Sequence, residues 1–67
     1  MIDVIHSKGW TFFPSVTQDG DFWEGTVAVY VEGCSKRLLH TCFRLHDGPQ
    51  EALQDAVVDA LTLAEKV

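Results

Sequence analysis

Apolar and polar residues alternate along much of residues 1 to 45, and apolar residues then recur at three- and four-residue spacing from 49 to 67. The first pattern predicts half-buried strands and the second an amphipathic helix. Asp19-Gly20 lies between two β-rich runs, and an Asp-Gly pair there predicts a type I′ hairpin, which needs positive φ at both central positions. With Gln18 and Asp21 flanking that pair, Val16 faces Trp23, Phe12 faces Val27 and Trp10 faces Val29. Even positions of one strand then meet odd positions of the next, and both sets are apolar. A one-residue slip would turn every side chain over.

A second reversal is predicted at Gly33-Cys34-Ser35, between Val31-Glu32 and Lys36. As a three-residue loop it sets Val29 against Leu39, Val27 against Thr41, Trp23 against Leu45, and Phe43 over the bare Gly25. On the opposite face it pairs Glu32 with Lys36 and Glu24 with Arg44, two favourable cross-strand contacts. A strand over residues 2–6 is expected to enter through a Ser7-Lys8-Gly9 loop. Val4 then lies against Phe12, and Ile2 against Pro14, a residue with no N–H for the ladder.

Leu53, Ala56, Val57, Ala60, Leu61 and Ala64 form the helix stripe. Asp47 is placed to cap, with Pro49 in the first turn and Gln50 three residues on. Glu51, Asp55 and Asp59 fall on the outer face, where like charges four apart cost a few tenths of a kcal/mol per pair, roughly. The fold expected is α+β: an antiparallel meander of three or four strands with one C-terminal helix on one face, a single domain over 1–67. The core would hold Val4, Trp10, Phe12, Val16, Trp23, Val27, Val29, Val31, Leu39, Phe43, Leu45 and the helix stripe.

At 67 residues a chain buries only about 60% of its unfolded surface, which leaves no mass for a substrate domain or a lid. The net charge of −5 disfavours a phosphate-backbone binder, which needs a basic face. No apolar run approaches the length of a membrane span. Met1-Ile2-Asp3-Val4-Ile5-His6 has an early acid and no basic or long apolar stretch, so no signal peptide is read. Two cysteines in such a chain are expected to be reduced thiols in a cytoplasmic protein.

The sheet face away from the helix is expected to carry Phe13, Phe22, Ala28, Tyr30, Leu38 and Cys42, with Thr11, Thr26 and His40 between them. So apolar a face marks an interface, and a two-fold homodimer is the commonest assembly. The interface residues expected are Phe13, Tyr30, Leu38, His40 and Cys42. His40 and Cys42, two apart on one strand, form half a metal site, and a second copy would have to supply the rest. No Cys-x-x-Cys or His-x-x-x-His spacing supports it, so no metal or cofactor is assigned. Catalysis is not expected either. The serines lack a nucleophile-elbow setting, no glycine-rich loop precedes a helix, and Asp19 is accounted for by its turn. Lys36, Arg37 and Arg44 could contact a nucleic acid, with Phe13 and Tyr30 stacking bases, but pairing with Glu24 and Glu32 is the simpler reading.

The segment Gly48-Pro49-Gln50-Glu51-Ala52-Leu53-Gln54-Asp55-Ala56 onward resembles the helix of HicB-type antitoxins, which follows a three-stranded meander. The strands depart from that family. They lack its Pro-Asp-Leu-Pro-Gly-Cys-like loop, of which Glu32-Gly33-Cys34 keeps only a part, and no functional residue carries over. As a whole the chain resembles small bacterial meander-plus-helix proteins of unknown function. The reading is a non-enzymatic binding or adaptor module, homodimeric through the helix-free face, with an unidentified protein as a further partner. The alternative is an antitoxin-like or nucleic-acid-linked regulator using Lys36, Arg37 and Arg44.

Overall fold

In the computed structural model, which describes residues 4–67, four antiparallel strands lie in the sheet order β1-β2-β3-β4. They are β1 (Ile5–Ser7), β2 (Trp10–Asp19), β3 (Phe22–Val31) and β4 (Arg37–His46), followed by helix α1 (Pro49–Glu65). The α+β meander with one C-terminal helix is the architecture that the two hydrophobic periods require: an amphipathic sheet buries one face, and an amphipathic helix covers it.

The β2–β3 hairpin turns at Gly20-Asp21, with Asp19 opposite Phe22. Gly20 has φ +63° and Asp21 does not share the positive φ, so the turn is type II′ with glycine first, not type I′ on Asp19-Gly20. The register therefore differs by two from the expected one: Phe12 opposes Val29, Trp10 opposes Val31 and Val16 opposes Gly25. A shift of two leaves every side chain on its expected face. Phe12, Pro14 and Val27 are accordingly the largest fully buried side chains, and the Trp10 and Phe12 rings stack with centroids 6.3 Å apart.

The other two reversals correct the expected faces. Lys8-Gly9 is a two-residue turn with positive φ at both residues, so Ile5, not Val4, opposes Phe12. Val4 is exposed, and the expected Ile2–Pro14 pair lies outside the described residues. Between β3 and β4 the loop takes in Glu32 through Lys36. The Cys34 N–H closes a turn on the Val31 carbonyl at 3.0 Å, and the Glu32 N–H is held by the Gly9 carbonyl at 2.8 Å. Val29 now opposes Leu38 and Val27 opposes His40. This odd-numbered slip turns β4 over. Leu38, His40, Cys42, Arg44 and His46 face the helix side, while Leu39, Thr41 and Leu45 face away from it. The expected pairs Glu24–Arg44 and Glu32–Lys36 do not form, since Glu24 opposes Leu45 and Lys36 lies in the loop.

A bulge interrupts β4 where Thr26 opposes Thr41 but Glu24 opposes Leu45. Cys42, Phe43 and Arg44 together span the position of Gly25. Phe43 adopts φ +63°, a conformation rare for a bulky residue, and stands out of the sheet at 83% exposure. It does not cover Gly25, and Leu39, Phe43 and Leu45 are not core residues.

The helix covers Gly25 instead. A Cβ there would meet the Ala52 carbonyl oxygen at 2.5 Å and the Ala56 amide nitrogen at 3.0 Å. Helix backbone thus rests on sheet backbone, and Ala52, Ala56 and Ala60 are fully buried. The helix is rolled from the expected stripe: Leu61 is exposed while Asp55 and Asp59 turn in toward β4. The helix begins after Gly48, not Asp47, with no side-chain cap. Pro49 occupies its first turn, and Glu51 there is favourably placed at the positive end of the helix dipole. At the far end the Ser7 hydroxyl donates to the Ala64 carbonyl at 3.3 Å, tying β1 to the helix.

Candidate functional site

Two surfaces carry more chemistry than the fold needs. The first lies between β4 and α1. Alternation along β4 sends His40, Cys42, Arg44 and His46 to the helix side, and Asp55 and Asp59, one helical turn apart, meet them. Arg44 Nε donates to Asp55 Oδ2 at 2.6 Å, and Arg44 Nη2 donates to Asp59 Oδ1 at 3.1 Å. His46 Nε2 lies 3.1 Å from Asp55 Oδ2, and His40 Nε2 lies 2.9 Å from Asp59 Oδ2. An ionised carboxylate only accepts, so each imidazole presents its Nε2–H to its aspartate.

The carboxylates are held ionised. Hydrogen bonding from Arg44 chiefly, and then from His46, keeps Asp55 below the usual carboxylate value against the opposing effect of burial. For Asp59 the principal partner is His40, again opposed by burial and helped by Cys42 and Arg44. Cys42 is buried, and burial first and the neighbouring Asp59 second push its thiol up to about 12. The His40 nitrogen, the Cys42 sulfur and an Asp59 oxygen lie within 4.8 Å of one another.

The second surface is the sheet face away from the helix. The Phe13 and Tyr30 rings meet edge to face at 5.3 Å. Ala28 lies beside Phe13 on one side and Leu39 on the other. Nearer the β2–β3 turn, Phe22, Leu45 and Phe43 are exposed. Between these two apolar ends runs the row Ser15–Thr26–Thr41, in which the Ser15 and Thr26 hydroxyls are 2.8 Å apart.

Of the residues expected to form an interface, Phe13 and Tyr30 lie on the helix-free face. Leu38, His40 and Cys42 do not: the odd-numbered slip carries all three to the helix side, and Leu38 instead lines a cleft of about 280 Å³ with His40, Trp10 and Leu63. Of the cations expected to contact nucleic acid, Arg44 is engaged by two aspartates, Arg37 opposes Tyr30 on the helix-free face, and Lys36 lies in the exposed loop. Asp55 and Asp59, which the helical spacing alone places on an outer face, are the functional side chains that the sequence pattern does not single out. Their signal was the run of four polar or ionisable residues at alternate β4 positions, His40 to His46, which matches two acids one helical turn apart.

No helix among the described residues is long and apolar enough to cross a membrane. No protein-family model, curated protein or solved structure matches the chain.

Proposed function

We propose that this protein is a non-enzymatic binding module that pairs with a second copy of itself through the helix-free sheet face. The observation that carries this reading is the exposure of Phe13, Phe22, Tyr30, Leu39, Phe43 and Leu45 on that face. With about 200 Å² for a fully exposed aromatic side chain, these residues leave on the order of 600 Å² open. Counted across both apolar ends of the face, that approaches the ~800 Å² that each partner buries in a stable complex.

A second copy suits the pattern. Two apolar ends flank a row of hydroxyls, and a two-fold axis through that row lays each apolar end on the opposite end of the partner. Such an arrangement is self-complementary, as an isologous interface requires. A nucleic-acid role is weakened because Arg44 is committed to Asp55 and Asp59, which leaves Lys36 and Arg37 as the cations of that group.

Sedimentation velocity across micromolar concentrations tests the reading. A dimer is expected whose dissociation constant rises at least tenfold in Leu39→Glu and is unchanged in Leu38→Glu, since Leu38 faces the helix side. A monomer at every concentration, or equal effects of the two substitutions, overturns it.

A further inference from the structure

From the convergence of His40, Cys42 and Asp59, we infer that the seam between β4 and α1 is a binding site for a zinc-like divalent cation. The three ligand atoms come from two rigid elements. His40 and Cys42 are two apart on β4, and Asp59 reaches in from α1, so the helix supplies what a second copy would otherwise have to bring.

The donor set is one imidazole, one thiolate and one carboxylate, which suits Zn²⁺ or Co²⁺ rather than Mg²⁺ or Ca²⁺. The geometry needs only small movements. In a tetrahedral site the nitrogen and oxygen ligands stand about 3.3 Å apart, given bonds of about 2.0 Å. His40 Nε2 and Asp59 Oδ2 are now 2.9 Å apart, so they would part slightly while the Cys42 sulfur draws in. The outer contacts are already in place. Arg44 holds the other oxygen of Asp59, which leaves Oδ2 for the ion, and outer contacts of this kind orient metal ligands. The His40 and Asp59 side chains keep 37% and 21% exposure, so the site is reached from solvent and a water can complete the coordination.

The proton balance is explicit. The ion takes the place of the hydrogen on His40 Nε2, which moves to Nδ1 as the ring changes tautomer. The Cys42 thiol releases one proton to solvent on becoming a thiolate. No electron is transferred.

The test is a Co²⁺ titration of the full chain under reducing conditions, followed by displacement with Zn²⁺. Sulfur-to-cobalt charge-transfer absorption should saturate at one equivalent per chain, vanish in Cys42→Ser and persist in Cys34→Ser, the exposed thiol. Asp59→Asn and His40→Gln, checked for fold by circular dichroism, should each weaken Co²⁺ binding by more than about tenfold, the smaller effect expected from outer-shell partners alone. Zn²⁺ should also raise the thermal midpoint of the wild type and not that of His40→Gln. Absence of the absorption, its loss in Cys34→Ser, or unchanged affinity in a folded His40→Gln protein each overturns the site.

Discussion

Two seams lie under the same helix and are built from opposite materials. Over β2 and β3, α1 sets Ala52, Ala56 and Ala60 against Phe12, Val27 and Gly25, with no side chain larger than a methyl on the helix side of the closest contact. Over β4 it sets Asp55 and Asp59 against His40, Arg44 and His46, joined by hydrogen bonds of 2.6 to 3.1 Å. The apolar seam is stabilised by removal of surface from water, a non-directional effect proportional to area. The polar seam is partly exposed, where ion pairs contribute little net stability. The first seam holds the fold together, and the second sets side chains in fixed positions at little energetic gain.

The apolar seam should fail first. Phe12→Ala removes the largest fully buried side chain and should cost about 3–5 kcal/mol. A chain of this length is stable by roughly 3–10 kcal/mol. Urea denaturation should therefore show a protein largely unfolded, or with its midpoint moved far down. A loss below about 1 kcal/mol would mean that the helix is not seated on Phe12.

Gly25→Ala comes next. The added methyl would press on the Ala52 carbonyl and the Ala56 amide, which are backbone atoms that cannot swing aside. Overpacking of this kind costs about 1–3 kcal/mol. The expected result is a lower melting temperature with the sheet signal retained. A neutral or stabilising outcome would show that the close approach of helix to sheet is wrong.

The smallest effect belongs to the polar seam and is read through pH. Asp55 is held below its ordinary value of 3.8 by Arg44 and His46. Its contribution to stability is therefore present above pH 3.8 and is lost as pH falls below that value. In Asp55→Asn the acid limb of the stability–pH curve should flatten below pH 3.8, and the difference from wild type at neutral pH should shrink as salt is added, because exposed pairs are screened. The stability lost in Gly25→Ala, which leaves the pair intact, should depend on neither pH nor salt. An Asp55→Asn curve parallel to wild type throughout would remove the pairing.

The two hairpins show where sequence reasoning holds and where it fails. At β2–β3 the sequence predicts the turn at Asp19-Gly20 and the chain turns at Gly20-Asp21, a difference of two in pairing that leaves Trp10, Phe12, Val27 and Val29 on the helix-side face. At β3–β4 the sequence predicts a three-residue loop and the chain has five, so the pairing differs by an odd number. Leu39 and Leu45 went from core to surface, and His40, Cys42 and Arg44 went from surface to seam. The misleading cue was local: Leu39, Thr41, Phe43 and Leu45 alternate as an apolar row should, and Glu24 and Glu32 offer matching charges to Arg44 and Lys36. Such pairs are worth well under 1 kcal/mol each. They are outweighed by the close contact of α1 with Gly25 and the burial of Ala52, Ala56 and Ala60 that goes with it, a packing between segments far apart in the chain.

Periodicity near two and then near 3.6, punctuated by Gly20, Gly33 and Gly48-Pro49, was enough to specify a meander followed by one helix, since those spacings are properties of the backbone and its turns. Which row of β4 meets that helix was set by long-range packing. Both rows of β4 carry apolar side chains, so either could have been buried, and the choice fell to the row whose histidines, cysteine and arginine find Asp55 and Asp59 opposite them once the helix lies down on Gly25.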